Sequence, residues 1–304
     1  MDRRKFVGSG AAGLALLGAA GRAGAQTAAA EDEQRPNAKA GRLKQSVARW
    51  CFAKVPIESF CRQLRDMGVT GMDLVGPKEW PTCKRYGITP CMVAGAGSFL
   101  PVEPGSHRRF GKVFGWNKVE NHDKLVATAR KNIDLAADNG LPNIIGLYGD
   151  RDGMTDEQGI ENCVKGLKRI VPLLEKKRIT LAIEVLNSKV DHPGYQGDHT
   201  AYGVAVCKGV GSERVKILYD AYHMQIMEGD LIDTIRANKE YIAHFHVAGV
   251  PGRHEIDGTQ EVNWHAVANA IADLGFDGYI AHEWIPTAAD PMAALRKAIP
   301  VLTV

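Results

Sequence analysis

From residue 45 onward, short apolar runs of strand length alternate with longer segments of helical character. An apolar run of roughly four to eight residues between polar or glycine-rich segments indicates a buried strand. Eight runs have this character: Ser46–Phe52, Gly71–Val75, Thr89–Ala94, Asn143–Tyr148, Thr180–Leu186, Val215–Asp220, Ile242–Ala248 and Gly278–Trp284. Parallel strands need helical crossovers, so this alternation restricts the chain to an α/β fold built on a parallel sheet.

The number of repeats distinguishes between two parallel architectures. The helix candidates are Ile57–Met67, Lys78–Tyr86, His122–Asn139, Asp156–Lys177, His199–Gly209, Asp230–Glu240, Trp264–Leu274 and Pro291–Ile299. Eight strand and helix pairs in roughly 260 residues predict one (β/α)8 TIM barrel domain. An open doubly wound sheet would carry a glycine-rich phosphate turn after its first strand. The residues after that strand, Ala53–Pro56, include no glycine, so the barrel is favoured.

The N-terminus is predicted to be a twin-arginine signal peptide, residues 1–25. Arg3 and Arg4 precede a weakly hydrophobic, Gly/Ala-rich stretch, and Ala23-Gly24-Ala25 supplies a small-x-small cleavage site. The stretch is too short and too glycine-rich to span a bilayer, so we expect export to the periplasm without stable membrane insertion. Residues 26–41 are polar and Ala-rich and are predicted to be a linker, which leaves residues 42–304 for the barrel.

Composition excludes several classes of protein. The chain is 45% hydrophobic and 24% charged, which is typical of a globular domain. Its formal net charge is only +3, and part of this charge lies at the extreme N-terminus, so no nucleic-acid partner is expected. The six cysteines show no CxxC or Cys/His spacing of the zinc type. We expect buried thiols and neither a disulfide framework nor a structural zinc site.

Each of the last four strand-like runs carries, at or near its end, a residue of a type that can bind a metal ion. These residues are Glu184, Asp220, His246 and Glu283. In a barrel the carboxyl ends of the strands meet at one face, so we expect all four around one point. One acidic residue at a strand end is often a helix cap or an ion-pair partner, but four in such apolar company indicate a shared cation. Three carboxylates and an imidazole favour one divalent ion, Mn²⁺ or Mg²⁺, with Co²⁺ or Zn²⁺ as alternatives.

A hard divalent ion in this position suits proton transfer next to a carbonyl. Such an ion can grip two neighbouring oxygens of a hydroxy-carbonyl substrate and make the intervening C–H more acidic. Glu184 and Glu283 are predicted to be ligands and proton carriers together. Residues 95–120 and 187–198, which follow strands three and five, are lid candidates. Trp50 and Trp284, near the ends of strands one and eight, either line a sugar pocket or fill the barrel mouth.

Four motifs carry a resemblance to a known family. They are Ile183–Asn187, Tyr219–Gln225, His244–Glu255 and Gly278–Glu283, of which His244–Glu255 is the most specific. These motifs resemble the xylose isomerase-like barrels, particularly hydroxypyruvate isomerase, and the D-tagatose and D-psicose 3-epimerases look similar too. The resemblance covers most of residues 45–300. It implies metal binding by the residues that end the last four runs, Glu184, Asp220, His246 and Glu283, with Glu184 and Glu283 as the acid/base pair.

The same resemblance assigns substrate contacts. It implies that His223 hydrogen-bonds the substrate's oxygens near the metal, while the alternative is a structural histidine. Arg253 and His254 follow His246 on the next loop and are candidates to bind a substrate carboxylate or a hydroxyl-rich end. Arg253 would otherwise form a surface ion pair with Glu255 or Asp257.

The predicted function is therefore a metal-dependent isomerase or epimerase of a small sugar or hydroxy-keto acid, working through an enediolate. A homo-oligomer is left open. The alternative is a 3-keto-glycoside lyase, which shares the C–H cleavage and then eliminates the group at the adjacent carbon. Export favours this alternative, because hydroxypyruvate is an internal metabolite. A non-catalytic sugar-binding barrel is disfavoured by the intact pair Glu184 and Glu283. Apurinic-site endonucleases share this barrel but need many histidines and a basic groove.

Overall fold

Eight parallel strands close into a barrel in the part of the chain that the structure, a computed structural model, describes, residues 41–102 and 110–304. The strands are β1 Lys44–Ala48, β2 Gly71–Asp73, β3 Thr89–Ala96, β4 Asn143–Leu147, β5 Thr180–Glu184, β6 Val215–Asp220, β7 Ile242–Val247 and β8 Tyr279–His282. β8 pairs with β1, with Gln45 opposite Ile280, and this pairing closes the ring. The predicted single-domain TIM barrel is confirmed. The predicted signal peptide and residues 26–40 of the linker lie outside the described residues.

Helices connect successive strands and pack around the barrel. Among the described residues they are α1 Ile57–Asp66, α2 Trp80–Arg85, α3 His122–Asp138, α4 Asp156–Lys168, α5 Val171–Lys177, α6 Thr200–Val210, α7 Ala221–Met227, α8 Leu231–Asn238, α9 Trp264–Asp273 and α10 Pro291–Ala298. The predicted helix 156–177 is in fact two, because the chain turns at Arg169–Ile170 and restarts with Pro172 in the first turn of α5. Helix α7 was not predicted.

The first predicted strand is too long at its C-terminal end. β1 ends at Ala48, and Arg49–Phe52 form a 3-10 turn whose Phe52 packs into the core. A short apolar run does not by itself distinguish a strand from a buried turn, which is why the sequence misplaced this boundary. The turn swings Trp50 out over the barrel mouth, where it is 40% exposed.

Alternating side chains of each strand fill two separate regions. Outward-facing residues form one large core between the strands and the helices. Inward-facing residues fill the barrel itself, where Met92, Ala182 and Leu218 form a small apolar layer. Toward the carboxyl ends of the strands the inward side chains become polar. Asp220 and His246 are both fully buried there, so the barrel carries charge where a core would ordinarily be apolar.

The two predicted insertions form part of the barrel mouth. The first contains a two-stranded antiparallel ribbon in which Ser98–Phe99 pair with Val113–Phe114. The second, residues 187–198, carries His192, whose ring stacks against Phe99 and Phe110. All six cysteines are free, and five of them are buried as predicted, whereas Cys51 is only partly buried. Within residues 41–102 and 110–304, no helix has the length and apolar character needed to cross a membrane.

Candidate metal centre and active site

The structure brings Glu184, Asp220, His246 and Glu283 together at the carboxyl ends of β5 to β8. One candidate ligand atom from each lies within 4.8 Å of the others. His246 Nδ1 lies at the centre of the group, 2.5 Å from Glu283 Oε2, 3.2 Å from Glu184 Oε1 and 3.9 Å from Asp220 Oδ2. The predicted strand-end geometry thus converges on one point. The roles of the four side chains stay predictions.

Asp220 ends a strand and caps the helix that follows. It is the last residue of β6 and the N-cap of α7, and its Oδ1 accepts hydrogen bonds from the backbone N–H groups of Tyr222 (2.9 Å) and His223 (3.3 Å). A carboxylate at this position also complements the positive end of the helix dipole. The cap fixes Asp220, leaves Oδ2 directed at the centre and places His223 beside it.

His246 is oriented by a residue that the sequence analysis missed. Its Nε2 lies 3.1 Å from Asp73 Oδ2, at the end of β2 on the far side of the barrel, and His244 Nε2 lies 2.5 Å from the same oxygen. A carboxylate that accepts the N–H of a metal-binding imidazole fixes its tautomer and turns the other nitrogen toward the metal. Asp73 also ends an apolar strand, and that was the signal that could have identified it.

Arg253 enters the charged centre, not the surface. Its Nη2 donates to Asp220 Oδ2 at 2.7 Å and to Glu283 Oε2 at 2.6 Å. Its backbone has a left-handed φ of 60°, which a side chain other than glycine adopts at an energetic cost. The alternative of an ion pair with Glu255 is wrong, because the Glu255 carboxylate accepts hydrogen bonds from the N–H and hydroxyl of Thr287.

His223 is held by polar groups on both sides of its ring. Asn187 Nδ2 lies 2.6 Å from its Nδ1, and Arg253 Nη1 lies 3.0 Å from its Nε2. Burial, together with the neighbouring Arg253 charge, lowers the pKa of His223 well below its usual range. The imidazole is therefore neutral, and it lines the cavity described below.

The electrostatics of the centre are those of crowded, buried carboxylates. Burial, reinforced by the charge of Glu283, raises the pKa of Glu184 to about 7. Burial also raises the pKa of Asp220, although the Arg253 charge opposes it. At Glu283 burial acts in the same direction, but His246 and Arg253 outweigh it and lower the pKa to about 2.

This donor set fits a divalent cation. The three carboxylates Glu184, Asp220 and Glu283 face one guanidinium, that of Arg253, so their negative charge is only partly balanced by it. Buried charges that lack compensation are costly, and a divalent ion bound by hard oxygen donors supplies the missing charge. His246 offers Nδ1 as a nitrogen ligand, because its Nε2 faces Asp73.

A cavity of about 340 Å³ opens above the centre, and its lining separates the four residues into two pairs. Glu184 and Glu283 line the cavity, whereas Asp220 and His246 lie beneath it and are fully buried. The full lining comprises Trp50, Leu74, Gly97, Ser98, Phe99, Phe110, Ile145, Leu147, Glu184, Leu186, His192, His223, Arg253 and Glu283. Trp50 donates its indole N–H to Glu283 Oε1 at 2.7 Å.

Two residues predicted to bind substrate lie elsewhere. Trp284 is fully buried and packs edge-on against Phe52, because it faces away from the barrel axis while the preceding Glu283 faces toward it. His254 is exposed, and its Nδ1 lies 3.1 Å from the backbone oxygen of Ile285. Neither side chain lines the cavity. Of the two tryptophans predicted to line a sugar pocket or fill the barrel mouth, Trp50 lines the cavity, whereas Trp284 packs in the core.

A family model described as xylose isomerase-like TIM barrel matches residues 81–303. The chain belongs to this family. It is similar to 2-oxo-tetronate isomerase of Cupriavidus necator, with 39% identity over 110 residues, which are 36% of this chain and 42% of that protein. It is also similar to hydroxypyruvate isomerase of Escherichia coli, with 34% identity over 134 residues, 44% of this chain and 51% of that protein. The chain thus aligns with about half the length of these relatives.

Solved structures show the same fold. A Brucella melitensis protein described as AP endonuclease, family 2, superimposes with a TM-score of 0.69 at 22% identity, covering 85% of this chain and 99% of that one. At this level of identity the similarity concerns the fold alone.

Proposed function

We propose that this family member catalyses metal-dependent proton transfer next to the carbonyl of a small sugar or hydroxy-keto acid, as an isomerase or epimerase. One observation carries the proposal. Of the four convergent residues, Glu184 and Glu283 line the cavity, while Asp220 and His246 lie beneath it. A proton carrier must reach the substrate carbon. Of the four residues, the two whose carboxylates line the cavity are therefore the candidates for this role.

A divalent ion, Mn²⁺ or Mg²⁺, held by Glu184, Asp220, His246 and Glu283 would stabilise the negative charge that develops on the substrate's oxygens. Glu184 or Glu283, as the carboxylate, accepts the proton from the hydroxyl-bearing carbon, and the same residue, now protonated, returns this proton or one exchanged with solvent at the adjacent carbon. If the other residue returns the proton, it first takes one up from solvent. The neutral His223 ring contacts the substrate's oxygens at the cavity wall.

Two further observations support the proposal. Both curated relatives named above are isomerases by name, although each aligns over only part of its length. From the predicted twin-arginine signal peptide we further propose that the substrate is met in the periplasm. Arg253 holds Asp220 and Glu283 in place from above and completes the polar wall of the cavity.

The experiment is solvent deuterium uptake by the Mn²⁺-loaded protein, read by mass spectrometry on hydroxypyruvate, a free ketohexose and a 3-keto-glucoside. Uptake without cleavage is the expected result. We expect Glu184→Gln and Glu283→Gln to lower its rate by roughly 10²- to 10⁴-fold, the usual contribution of a general acid or base.

The matched control is Glu213→Gln, at an exposed carboxylate that pairs with Lys216 on the surface. This variant should keep the wild-type rate. Release of the aglycone from the 3-keto-glucoside would support the lyase alternative instead. Absence of uptake with all three compounds, or unchanged uptake in Glu184→Gln, would contradict the proposal.

A further inference from the structure

The cavity has two unlike walls, and they come from opposite halves of the barrel. The charged wall consists of Glu184, His223, Arg253 and Glu283, which follow β5 to β8. The other wall comes from the region of β1 to β5 and consists mainly of apolar side chains: Trp50, Leu74, Phe99, Phe110, Ile145, Leu147 and Leu186. The proposed proton transfer explains the charged wall, but it gives no function to the apolar wall.

Three rings form a stacked surface at the outer edge of this apolar wall. Each ring contacts the other two: the His192 centroid lies 5.2 Å from that of Phe99 and 4.8 Å from that of Phe110, and the two phenylalanine centroids lie 5.8 Å apart. We call Phe99, Phe110 and His192 the aromatic shelf. Phe99 is 42% exposed although it lines the cavity. An exposed aromatic face in a concave site is a binding surface for a flat apolar group.

The backbone is shaped to present apolar groups to the cavity. Leu74, directly after Asp73, has a left-handed φ of 55° and lines the cavity. This conformation costs free energy for a residue other than glycine, and residues that adopt it cluster at binding sites. Trp50 lies on the same wall, 40% exposed, with its indole N–H occupied by Glu283, so the rest of its ring surface is available to a ligand.

Within the proposed chemistry, the volume and the apolar lining of the cavity favour a substrate that carries an apolar group over a very small or uniformly polar one. The volume of about 340 Å³ falls within the roughly 300–1,000 Å³ of pockets that enclose drug-sized ligands. A polyol chain lying along the apolar wall would leave most of its hydroxyls without partners. Of the described lining residues on that wall, those with polar side-chain atoms are Trp50, Ser98 and His192.

We propose that the substrate is an α-hydroxy ketone that carries a flat apolar ring. The reacting carbons lie over Glu184 and Glu283, and the ring packs between the aromatic shelf and Trp50. The position of the reacting carbons in this proposal rests on the proposed proton transfer. The ring-binding end rests on the apolar wall, and it is tested separately by binding.

The test uses two probes with the same reacting group, hydroxyacetone and 1-hydroxy-4-phenylbutan-2-one, and the Mn²⁺-loaded full chain. Binding is measured by calorimetry and deuterium uptake at carbon 1 by mass spectrometry. One methylene in an apolar pocket changes kcat/KM by roughly 10- to 200-fold, so we expect at least about 100-fold preference for the phenyl probe in binding and in uptake.

Two variants test whether the aromatic shelf causes the preference for the phenyl probe. Phe99→Ala should lower the phenyl preference by about tenfold, because it removes one stacking face at an exposed site where folding is not at risk. Val119→Ala, at an equally exposed apolar residue outside the cavity, should leave the preference unchanged.

The outcomes separate the two proposals. Equal binding of the two probes, or a preference untouched by Phe99→Ala, would overturn the substrate class. Tighter binding of the phenyl probe without deuterium uptake would support the ring-binding wall and contradict the proton-transfer proposal. Uptake with both probes at equal rates would leave the chemistry standing and refute the wall's role.

Discussion

The two halves of the barrel mouth differ in almost every physical respect. After β5 to β8 the inward side chains are carboxylates, imidazoles and a guanidinium, and nearly all of them are buried and hydrogen-bonded to one another. The wall from the region of β1 to β5 consists mainly of aromatic and aliphatic side chains, some of them well exposed, such as Trp50 and Phe99. Under the two proposals, the charged wall carries out the chemistry and the apolar wall binds the rest of the substrate. Trp50 and Asp73 connect the two walls through their hydrogen bonds to Glu283 and His246.

The largest expected effect comes from removing a charge from the buried centre. Arg253→Leu leaves Asp220 and Glu283 without their shared guanidinium, and breaking a buried pair in this way costs roughly 3–5 kcal/mol. Urea unfolding in the presence of a chelator should show this loss. Added Mn²⁺ should restore part of it, because the ion replaces the missing positive charge.

Arg49→Leu is the matched comparison on the apolar side. The Arg49 side chain is mostly buried, pairs with Glu79 at 3.2 Å and donates to the Phe52 backbone oxygen at 2.6 Å, so its loss leaves a single carboxylate unpaired outside the charged centre. The free energy of unfolding should fall by less than in Arg253→Leu and should not respond to Mn²⁺. If Arg253→Leu and Arg49→Leu lowered the free energy of unfolding equally, the two halves would not differ electrostatically as described.

Asp73 links the halves, and its loss should have an intermediate effect. It ends β2 on the apolar side yet accepts hydrogen bonds from both His244 and His246. Asp73→Asn removes the charge that orients His246, and such changes typically lower metal affinity by roughly 10- to 100-fold. Calorimetric titration with Mn²⁺ measures the affinity.

Cys91→Ala serves as the control for Asp73. The Cys91 thiol contacts the other carboxylate oxygen, Asp73 Oδ1, at 2.9 Å, so its removal leaves the histidine contacts intact. Metal affinity should stay near the wild-type value. An unchanged affinity in Asp73→Asn would mean that β2 contributes nothing to the charged centre.

The smallest expected effect concerns Trp50, which touches both halves. Trp50→Phe removes the indole N–H donated to Glu283 and keeps an aromatic surface. A hydrogen bond to a charged group contributes roughly 1.5–3 kcal/mol when buried, but Trp50 is 40% exposed and water can replace it. Deuterium uptake should fall by less than about tenfold. The ratio of uptake between the phenyl probe and hydroxyacetone should stay constant. A fall in that ratio would show that recognition of the ring needs the indole itself.

The four candidate metal ligands of the charged half were predictable from the sequence because each stands at or next to the end of an apolar strand. Glu184, Asp220, His246 and Glu283 stand out against their neighbours, and barrel geometry brings strand ends together. The family match and the closed strand order confirm the barrel. Strand boundaries were less accurate where an apolar run continued into a turn, as in Arg49–Phe52.

The apolar half was not predictable for a physical reason. Leu74, Ile145 and Leu147 look like any core residues in sequence, and only the closed barrel shows that they line a cavity. Trp284 illustrates the opposite error. It stands next to Glu283 in sequence, but strand alternation points it into the core. Arg253 was predicted to bind substrate, with a surface ion pair as the alternative, and its contacts with Asp220 and Glu283 were not predicted because they depend on the turn that contains its left-handed backbone.

The central claim is that proton transfer belongs to the charged half and recognition to the apolar half. Its most direct test is the rate of deuterium uptake into hydroxyacetone, a probe too small to need the aromatic shelf, by Glu184→Gln and Phe99→Ala side by side. The account predicts a fall of at least roughly 10²-fold for Glu184→Gln and a rate near wild type for Phe99→Ala. Equal falls in both variants, or a fall confined to Phe99→Ala, would contradict it.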